Sequence, residues 1–288
     1  MKKLLALTLA LGLLVGLTAC SDPKNPAAES NGSEDGTKTI YVITEQTMVA
    51  ADGKVSQAEY IYGDDGCLTR LINRTGTADY SGGELEITEK SITNEFAVVC
   101  DEYGRPVTYT DGYGSGMVLE YTYDEQGRLE NIVTRQNGEA ISSVSYVFQE
   151  DGRLKSQTQE YLDSGSSSQR KYFYEDGLLI CEEYYEEGSL IYTWEISCLD
   201  DGRISSLSIY DMEFNAVGTR KYSYAGTVTT VTSYDLDGNV TSTQVMTYDE
   251  NGNLLSTVTT TGDSVSAALY SWQAIRIPED SPRTSDKP

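Results

Sequence analysis

The chain has 288 residues, of which 39% are hydrophobic, with 22 tyrosines, no histidine and a formal net charge of −24. So acidic a protein is unsuited to binding nucleic acid or to adsorbing on an anionic lipid surface. Without histidine there is no Ser-His or Cys-His nucleophile pair, and the acidic doublets stand at predicted turns rather than across a cleft. We therefore predict a protein that is not an enzyme and that uses no cofactor.

The first 19 residues have the pattern of a signal peptide. Lys2 and Lys3 form a positive end, and an apolar run follows from Leu4 to Leu17. The sequence that ends in Cys20 resembles the lipobox of bacterial lipoproteins, which implies cleavage before Cys20 and a diacylglycerol on its sulfur. Acyl chains contribute about 0.8 kcal/mol per buried CH₂ to membrane binding. The expectation is an extracytoplasmic protein that is lipid-anchored to the cell membrane, with ordinary secretion as the alternative.

Three further segments follow the signal peptide. Residues 20–38 are rich in Pro, Ser, Asn and Gly and are predicted to be a flexible linker after the lipidated cysteine. Residues 39–275 carry alternating apolar and polar positions and are predicted to form one β domain. Residues 276–288 are predicted to be a disordered tail. Within the β domain, residues 74–99 are the least regular part, and we expect Ser264–Ile277 to be a last strand rather than a covering helix.

The segment Tyr121–Val133 has the pattern of a β-hairpin. A polar cluster separates Tyr123 from Leu129, and Gly127 is suited to the left-handed position of a three-residue connection. Counting outward from this loop pairs Tyr123 with Leu129 and Tyr121 with Asn131. Tyr121, Tyr123, Leu129 and Asn131 would then share the buried side, while an exposed Asp124–Arg128 pair would fix the register.

Variants of this hairpin recur along the chain, and from Gly127 to Gly202 the step is 25 residues each time. The equivalent glycines are Gly66, Gly104, Gly127, Gly152, Gly177, Gly202, Gly226 and Gly252. Four residues before them stand Tyr62, Cys100, Tyr123, Phe148, Phe173, Cys198, Tyr222 and Tyr248, for which we predict an inward orientation. The loops after Phe173 and Tyr222 are shorter, which is expected to move their aromatic positions by one place.

The run Tyr121–Leu129 resembles the bacterial YD (Rhs-type) repeat, whose pattern is Y-x-Y-D-x-x-G-R-L. Weaker copies stand at Tyr146–Leu154, Ile196–Ile204 and Met246–Leu254. In long members of that family the repeats look like a β-strip that spirals into a shell around a toxin. Here the strip is short and no toxin-sized segment follows it, so the shell function is not expected to carry over.

The fold class that follows is all-β, a repetitive antiparallel hairpin meander in a single curved or rolled sheet, with a barrel-like form as one option. We count about 16 to 18 strands, and an open sheet of more than roughly ten normally curls, splits or closes. Tyr and Leu would line the inside. Alternate turns would line opposite edges of the sheet.

Cysteines and acidic turns are the remaining candidates for a covalent link or a metal site. Buried free thiols are favoured over disulfides for Cys67, Cys100, Cys181 and Cys198, and the hairpin register does not place Cys181 opposite Cys198. Acidic pairs at the turns could bind calcium, but successive turns on one edge are about 10 Å apart, too far for a full set of oxygen ligands. No metal site is therefore predicted.

The leading functional hypothesis is a lipid-anchored surface protein that acts as a binding or scaffold module for a cell-surface glycan or a protein. Solvent-facing tyrosines at Tyr113, Tyr184 and Tyr210 are the candidate ligand contacts, because they fall outside the inward positions and could stack on sugar rings. One alternative is a β-barrel carrier of a small ligand, which a closed sheet with a void inside would favour. Another is an accessory or remnant of a contact-dependent toxin system.

Overall fold

The structure is a computed structural model that describes residues 37–63, 65–79 and 85–278. The signal peptide, Cys20 and most of the predicted tail lie outside the described residues. Strands run from Thr37 to Pro278, slightly beyond the predicted domain limits of 39 and 275. Among the described residues, no helix has the length and hydropathy needed to cross a membrane.

Eighteen β-strands make up the described chain, in agreement with the predicted number. They are β1 (Thr37–Val49), β2 (Lys54–Tyr62), β3 (Leu68–Asp79), β4 (Glu86–Cys100), β5 (Pro106–Asp111), β6 (Met117–Tyr123), β7 (Leu129–Gln136), β8 (Glu139–Phe148), β9 (Leu154–Tyr161), β10 (Ser166–Glu175), β11 (Leu178–Glu186), β12 (Ser189–Cys198), β13 (Ile204–Asp211), β14 (Ala216–Ala225), β15 (Val228–Tyr234), β16 (Val240–Tyr248), β17 (Leu254–Thr261) and β18 (Ser264–Pro278).

Each strand pairs antiparallel with the next along the chain, and β18 pairs with β1, so the sheet closes into a barrel. The closing register runs from Thr37 opposite Pro278 to Val49 opposite Ala267, with a bulge at Thr44. The predicted all-β meander and the predicted last strand are confirmed. The sequence did not decide whether the sheet closes. Closure is favourable because the two terminal strands satisfy each other's backbone hydrogen-bonding groups and leave no free sheet edge.

The hairpin at Tyr121–Val133 forms the predicted turn. Gly127 has φ +81°, in the left-handed region that favours glycine. The Asp124 amide donates to the Arg128 carbonyl at 2.9 Å, the Gly127 amide donates to the Asp124 carbonyl at 2.9 Å, and Tyr123 lies opposite Leu129. Asp124 and Arg128 form their ion pair at 2.7 Å, but both side chains are partly buried rather than fully exposed.

Beyond the turn the predicted register is wrong by one residue. Thr122 lies opposite Asn131 and Tyr121 opposite Ile132, because Glu130 is an extra residue in the returning strand. Such a β-bulge leaves one residue unpaired and increases the local twist. The same shift occurs next to Tyr62, Cys100, Phe148, Cys198 and Tyr248, the equivalent positions of five other repeats. A bulge in every such hairpin curves the sheet, which favours closure.

The repeated aromatic positions share one face, as predicted, and this face lines the inside of the barrel. Its apolar core is a buried cluster from neighbouring strands, with Leu71, Phe96, Tyr109 and Leu119 at its centre. The predicted shift by one place is confirmed in the short hairpin after Phe173, where Tyr174 lies opposite Leu179 and Phe173 is 41% exposed. It is wrong for the hairpin after Tyr222, because Tyr222 stays on the inward face opposite buried Val231. Residues opposite one another on neighbouring strands point to the same side, so the inward face can be followed from strand to strand round the whole barrel.

The outward face carries both polar and apolar side chains. In the middle of the chain, β8 to β10 present Ser143, Ser145, Glu160, Gln169 and Lys171 on this side. Exposed apolar side chains also point outward, among them Val147 on β8, Val258 on β17 and Val265 on β18.

A two-stranded ribbon packs against one end of the barrel. β1 pairs with β2 only from Glu45 to Val49, so its first half is paired with β18 alone. Ile40, Val42 and Ile277 of this ribbon are buried against Tyr62. The Tyr62 hydroxyl also donates to the Ile43 carbonyl at 2.9 Å. The ribbon is therefore packed onto the barrel rather than free of it.

Candidate functional site

A cavity of about 480 Å³ lies against the inner faces of five neighbouring strands, β16, β17, β18, β1 and β2. These strands include the seam where the two ends of the domain meet. Ligand pockets are typically about 300 to 1,000 Å³, so a small organic molecule would fit here. Closure of the barrel is what creates the site, because its walls come from both ends of the chain.

The walls of the cavity are mainly apolar. Met48, Met246, Leu254, Ala268 and Trp272 supply its apolar surface. Met48 is 42% exposed although it lies on the inward face, so the interior here is open rather than filled. Methionine adapts to ligands of irregular shape because its side chain is unbranched and polarizable.

A few polar groups interrupt this apolar surface, and they are bonded to one another. The Gln244 side-chain amide donates to Thr259 Oγ1 at 3.4 Å. Burial raises the pKa of Tyr270, and its side-chain hydrogen bonds with Gln46 and Thr257 partly oppose the rise. Tyr270 is therefore a neutral hydroxyl near pH 7, able to hydrogen-bond a polar group on a ligand.

Trp272 is fixed at the edge of the cavity. Its indole Nε1 donates to the Leu254 carbonyl at 2.7 Å, which joins β18 to the start of β17. Lys54 is the one lysine among the lining residues, and its ammonium forms an ion pair with Asp52 in an exposed position. The cavity thus has an apolar body and a charged group at its margin.

A second feature of the inner wall is an aromatic cluster on β11 and β12. Tyr184 lies directly opposite Tyr192, and Trp194 is two residues further along β12 on the same face. The Trp194 ring centroid is 6.4 Å from that of Tyr184 and 6.0 Å from that of Tyr192, with tilted rings. Tyr192 is 40% exposed, so the cluster is accessible from the lumen. We call Tyr184, Tyr192 and Trp194 the aromatic wall.

Charged groups border the aromatic wall. Arg170 Nη1 lies 2.8 Å from Glu182 Oε1, and the Arg170 guanidinium is 5.6 Å from the centre of the Tyr184 ring. Burial raises the pKa of Glu182, while the charge of Arg170 and its hydrogen bond oppose this rise. The Tyr184 hydroxyl donates to Glu186 Oε1 at 3.0 Å. These groups supply both hydrogen-bond donors and acceptors beside the rings.

The three tyrosines predicted as ligand contacts are not brought together. Tyr113 lies in the turn between β5 and β6 and is 56% exposed, and Tyr210 is half-buried on the outward face opposite Thr193. Tyr184 faces inward, so its predicted solvent-facing orientation is wrong. Tyr184 lies opposite Arg170, which is on the inward face, and residues opposite one another on neighbouring strands point to the same side of a sheet. Cys20 lies outside the described residues.

Sequence reasoning missed the residues that form the cavity and the aromatic wall. Alternation along Ser264–Ile277 marked a strand, and it also placed Ala268, Tyr270 and Trp272 on one side of it. That signal could have identified an inward face. It could not have shown that β18 meets β1, on which the cavity depends.

The acidic turns are occupied by their own hydrogen bonds. Burial alone would raise the pKa of Asp124, but hydrogen bonds from the Arg128 amide and guanidinium hold it below its ordinary value. In two later turns along the same edge the aspartate stands closer to the arginine, and Asp151 binds Arg153 while Asp201 binds Arg203. Within the described ranges, no group of three or more His, Cys, Asp or Glu side chains could hold a metal ion. The four described cysteines after Cys20 are thiols rather than disulfides, and Cys181 lies opposite Glu195 rather than Cys198.

No profile of a known protein family matches the chain, and no characterised protein matches its sequence. Among solved structures, the chain is similar to a porin-like protein from Bacteroides uniformis ATCC 8492, with a TM-score of 0.45 and 14% identity, covering 80% of this chain and 98% of that one. The structure of TcdB2-TccC3 gives a TM-score of 0.25 at 10% identity, covering 81% of this chain and 16% of that one. A β-barrel-like protein from Brucella abortus gives 0.22 at 8% identity, covering 82% and 99%. These scores are low, and the closed barrel described above rests on the chain's own strand pairing.

Proposed function

We propose that this protein is a β-barrel binding protein of the cell envelope, held by a lipid on Cys20, that carries a small and mainly apolar molecule inside the barrel. The single observation behind this proposal is the cavity of about 480 Å³ at the seam of β18 and β1. It has an apolar lining with a few bonded polar groups, which is the usual composition of a small-molecule site. The chemistry of the chain, without histidine, favours binding over catalysis.

The proposed place in the envelope rests on two features. The N-terminal sequence through Cys20 has the pattern of a lipoprotein signal, and the outward faces of β8 to β10 carry mainly serine, glutamate, glutamine and lysine side chains. Together they favour a barrel that stands in water beside a membrane and is attached to it only by lipid. Such a protein could hold an apolar molecule out of water between two membranes or at a cell surface.

Binding in the cavity can be followed through Trp272. The chain has two tryptophans, so a Trp194→Phe protein leaves Trp272, a lining residue, as its only tryptophan. Titration with long-chain alcohols such as dodecanol is expected to change the Trp272 emission to saturation. Short alcohols are expected to bind more weakly because they bury less apolar surface, at about 0.8 kcal/mol per CH₂.

A matched pair of substitutions tests the location. Ala268→Phe in the Trp194→Phe protein fills the cavity and is expected to weaken dodecanol binding by about tenfold or more. Ala225→Phe, at an exposed position on β14, is the control and should leave binding unchanged. Circular dichroism would show that both variants fold. Equal affinity in the two variants, or no saturable response to any alcohol, would contradict the proposal.

The lipid anchor has its own test. Palmitate labelling in cells is expected to mark the native protein and not a Cys20→Ala variant, which should leave the membrane fraction. Equal labelling of the two proteins would refute the anchor and leave the cavity proposal untouched.

A further inference from the structure

The aromatic wall is part of two parallel rows that cross the inner surface. The first row runs from Gln157 through Arg170, Tyr184 and Tyr192 to Asp211, one residue from each of five adjacent strands. Every side chain in it is an aromatic ring or a polar group. A second row lies next to it and contains Glu182 and Trp194.

The second row brings an ion pair up to the rings. Glu182 lies opposite Trp194 on one side and opposite Tyr172 on the other. Its carboxylate is bonded to Arg170 of the first row. Facing residues on neighbouring strands are about 5 Å apart, and residues two apart on one strand are about 7 Å apart. The aromatic wall and its polar border therefore form one continuous surface rather than scattered residues.

This combination is suited to a sugar ring. The face of a pyranose with axial C–H bonds is apolar and packs on an aromatic ring, while its hydroxyls lie in the ring plane and need donors and acceptors at the side. Tyr192 and Trp194 supply rings, and Tyr192 is 40% exposed to the lumen. Arg170, Glu182 and Gln157 supply guanidinium, carboxylate and amide groups along the border.

The charged groups beside the aromatic wall favour neutral sugars over anionic ones. Arg170 is already paired with Glu182, whereas Glu186 and Asp211 add negative charge at the ends of the cluster. The whole chain carries −24. An anionic sugar such as a uronic acid would be repelled, because like charges that face each other across a binding surface disfavour binding.

We propose that the aromatic wall formed by Tyr184, Tyr192 and Trp194 is a carbohydrate-binding site for a neutral pyranose unit of an oligosaccharide. This site lies on β11 and β12, whereas the apolar cavity is lined by β16 to β18, β1 and β2. The two sites share no residue. The inference therefore does not depend on the cavity being occupied.

Replacing the other tryptophan, Trp272, allows the fluorescence of Trp194 to be measured alone. In a Trp272→Phe protein, Trp194 is the single tryptophan and lies within the proposed site. Titration of this protein with neutral disaccharides and their longer oligomers is expected to quench or shift the Trp194 emission to saturation. The matched uronic acid oligomers are expected to give no saturable change.

Substitutions separate this site from the other tyrosines. Tyr192→Ala is expected to lower the affinity for the best neutral oligosaccharide by about tenfold or more, and Tyr192→Phe to restore most of it, since the ring supplies the contact. Tyr113→Ala and Tyr210→Ala are the matched controls and should bind as the unsubstituted protein does. Isothermal titration calorimetry on all four variants, in the presence of both tryptophans, would give the affinities.

Three outcomes would overturn the proposal. Loss of binding in Tyr210→Ala but not in Tyr192→Ala would place the sugar on the outer surface. Saturation of the Trp194 signal by choline, without a response to any neutral sugar, would show a site for a quaternary ammonium, which also binds among aromatic rings. If no neutral sugar on a glycan array bound to the protein, the proposed carbohydrate site would be refuted. Dodecanol titration followed by Trp272 fluorescence would still test the cavity separately.

Discussion

The guanidinium of Arg105 lies over the ring of Tyr123, with its Cζ 4.4 Å from the ring centre. Arg105 belongs to the hairpin of β4 and β5, and Tyr123 belongs to the hairpin of β6 and β7. The Tyr123 hydroxyl also donates to the Pro106 carbonyl at 2.8 Å. One repeat is thus held to the next by a cation–π contact and a hydrogen bond.

The same contact recurs wherever the repeat has both residues. It joins Arg128 to Phe148 at 4.5 Å, Arg153 to Tyr174 at 4.9 Å, and Arg203 to Tyr224 at 4.3 Å. Three of these arginines pass over the turn glycine of the following repeat, where a Cβ would lie 2.8 Å from Arg105 Nη1 at Gly127, 3.7 Å from Arg128 Nη1 at Gly152 and 3.8 Å from Arg153 Nη1 at Gly177. The tyrosine, glycine and arginine of the motif therefore act between repeats as well as within one hairpin.

Loss of Arg105 should destabilise the barrel. Arg105→Ala removes contacts with two rings and an ion pair to Asp101, and we expect the free energy of unfolding to fall by about 1 to 2 kcal/mol. Arg135→Ala is the matched control, because Arg135 forms an exposed ion pair with Glu120, worth about 0 to 1 kcal/mol, and a long hydrogen bond to the Gly138 carbonyl. Urea denaturation of both variants measures the difference. Equal losses in the two variants would show that the cation–π contact contributes nothing.

Phe214 occupies a position that glycine holds in other turns. It has φ +61°, in the left-handed region, and its side chain is 67% exposed. Phe214→Gly should therefore raise the free energy of unfolding by about 1 kcal/mol, since a side chain in this region costs about 1 to 2 kcal/mol. Met212→Gly in the same turn is the control, and it should not stabilise. A destabilised Phe214→Gly protein would mean that the ring makes a contact of greater value than the strain.

Alkaline pH should unfold the barrel through its buried tyrosines. Burial raises the pKa of both Tyr123 and Tyr146 from 10.0 to about 12. A raised pKa in the folded state means that the stabilisation is fully present below pH 10.0 and is lost as the pH rises through about 12. Tyrosinate absorbance and circular dichroism should therefore change together in this range. Full tyrosine ionisation near pH 10 with retained secondary structure would contradict the buried interior.

Closure by β18 should be required for a monomeric barrel. A chain that ends at Gly262 lacks β18 and leaves β1 and β17 with unpaired edges, so we expect it to self-associate or aggregate. A chain that lacks only residues 279–288 is the control. Size-exclusion chromatography with light scattering measures the state of both. A stable monomer without β18 would show that the seam is dispensable.

Much of the fold could be predicted because the residues that determine each turn lie close together in the sequence. The repeat at 25-residue steps, the glycine in the left-handed position and the pairing of Tyr123 with Leu129 depend on neighbouring residues in one hairpin. Such short-range chemistry fixes the turns, and the turns fix the strand count. The register beyond the turn was wrong because a bulge at Glu130 is set by sheet curvature, which no single hairpin contains.

The sequence by itself determined a polar-tipped β meander with one apolar face, and it predicts a lipoprotein signal at the N-terminus. Only the tertiary structure decided that the sheet closes and that Tyr184 faces the lumen. The physical reason is that closure joins β1 to β18, more than 200 residues apart in the chain, and depends on twist accumulated over every hairpin between them. The cavity and the aromatic wall are products of that accumulated curvature.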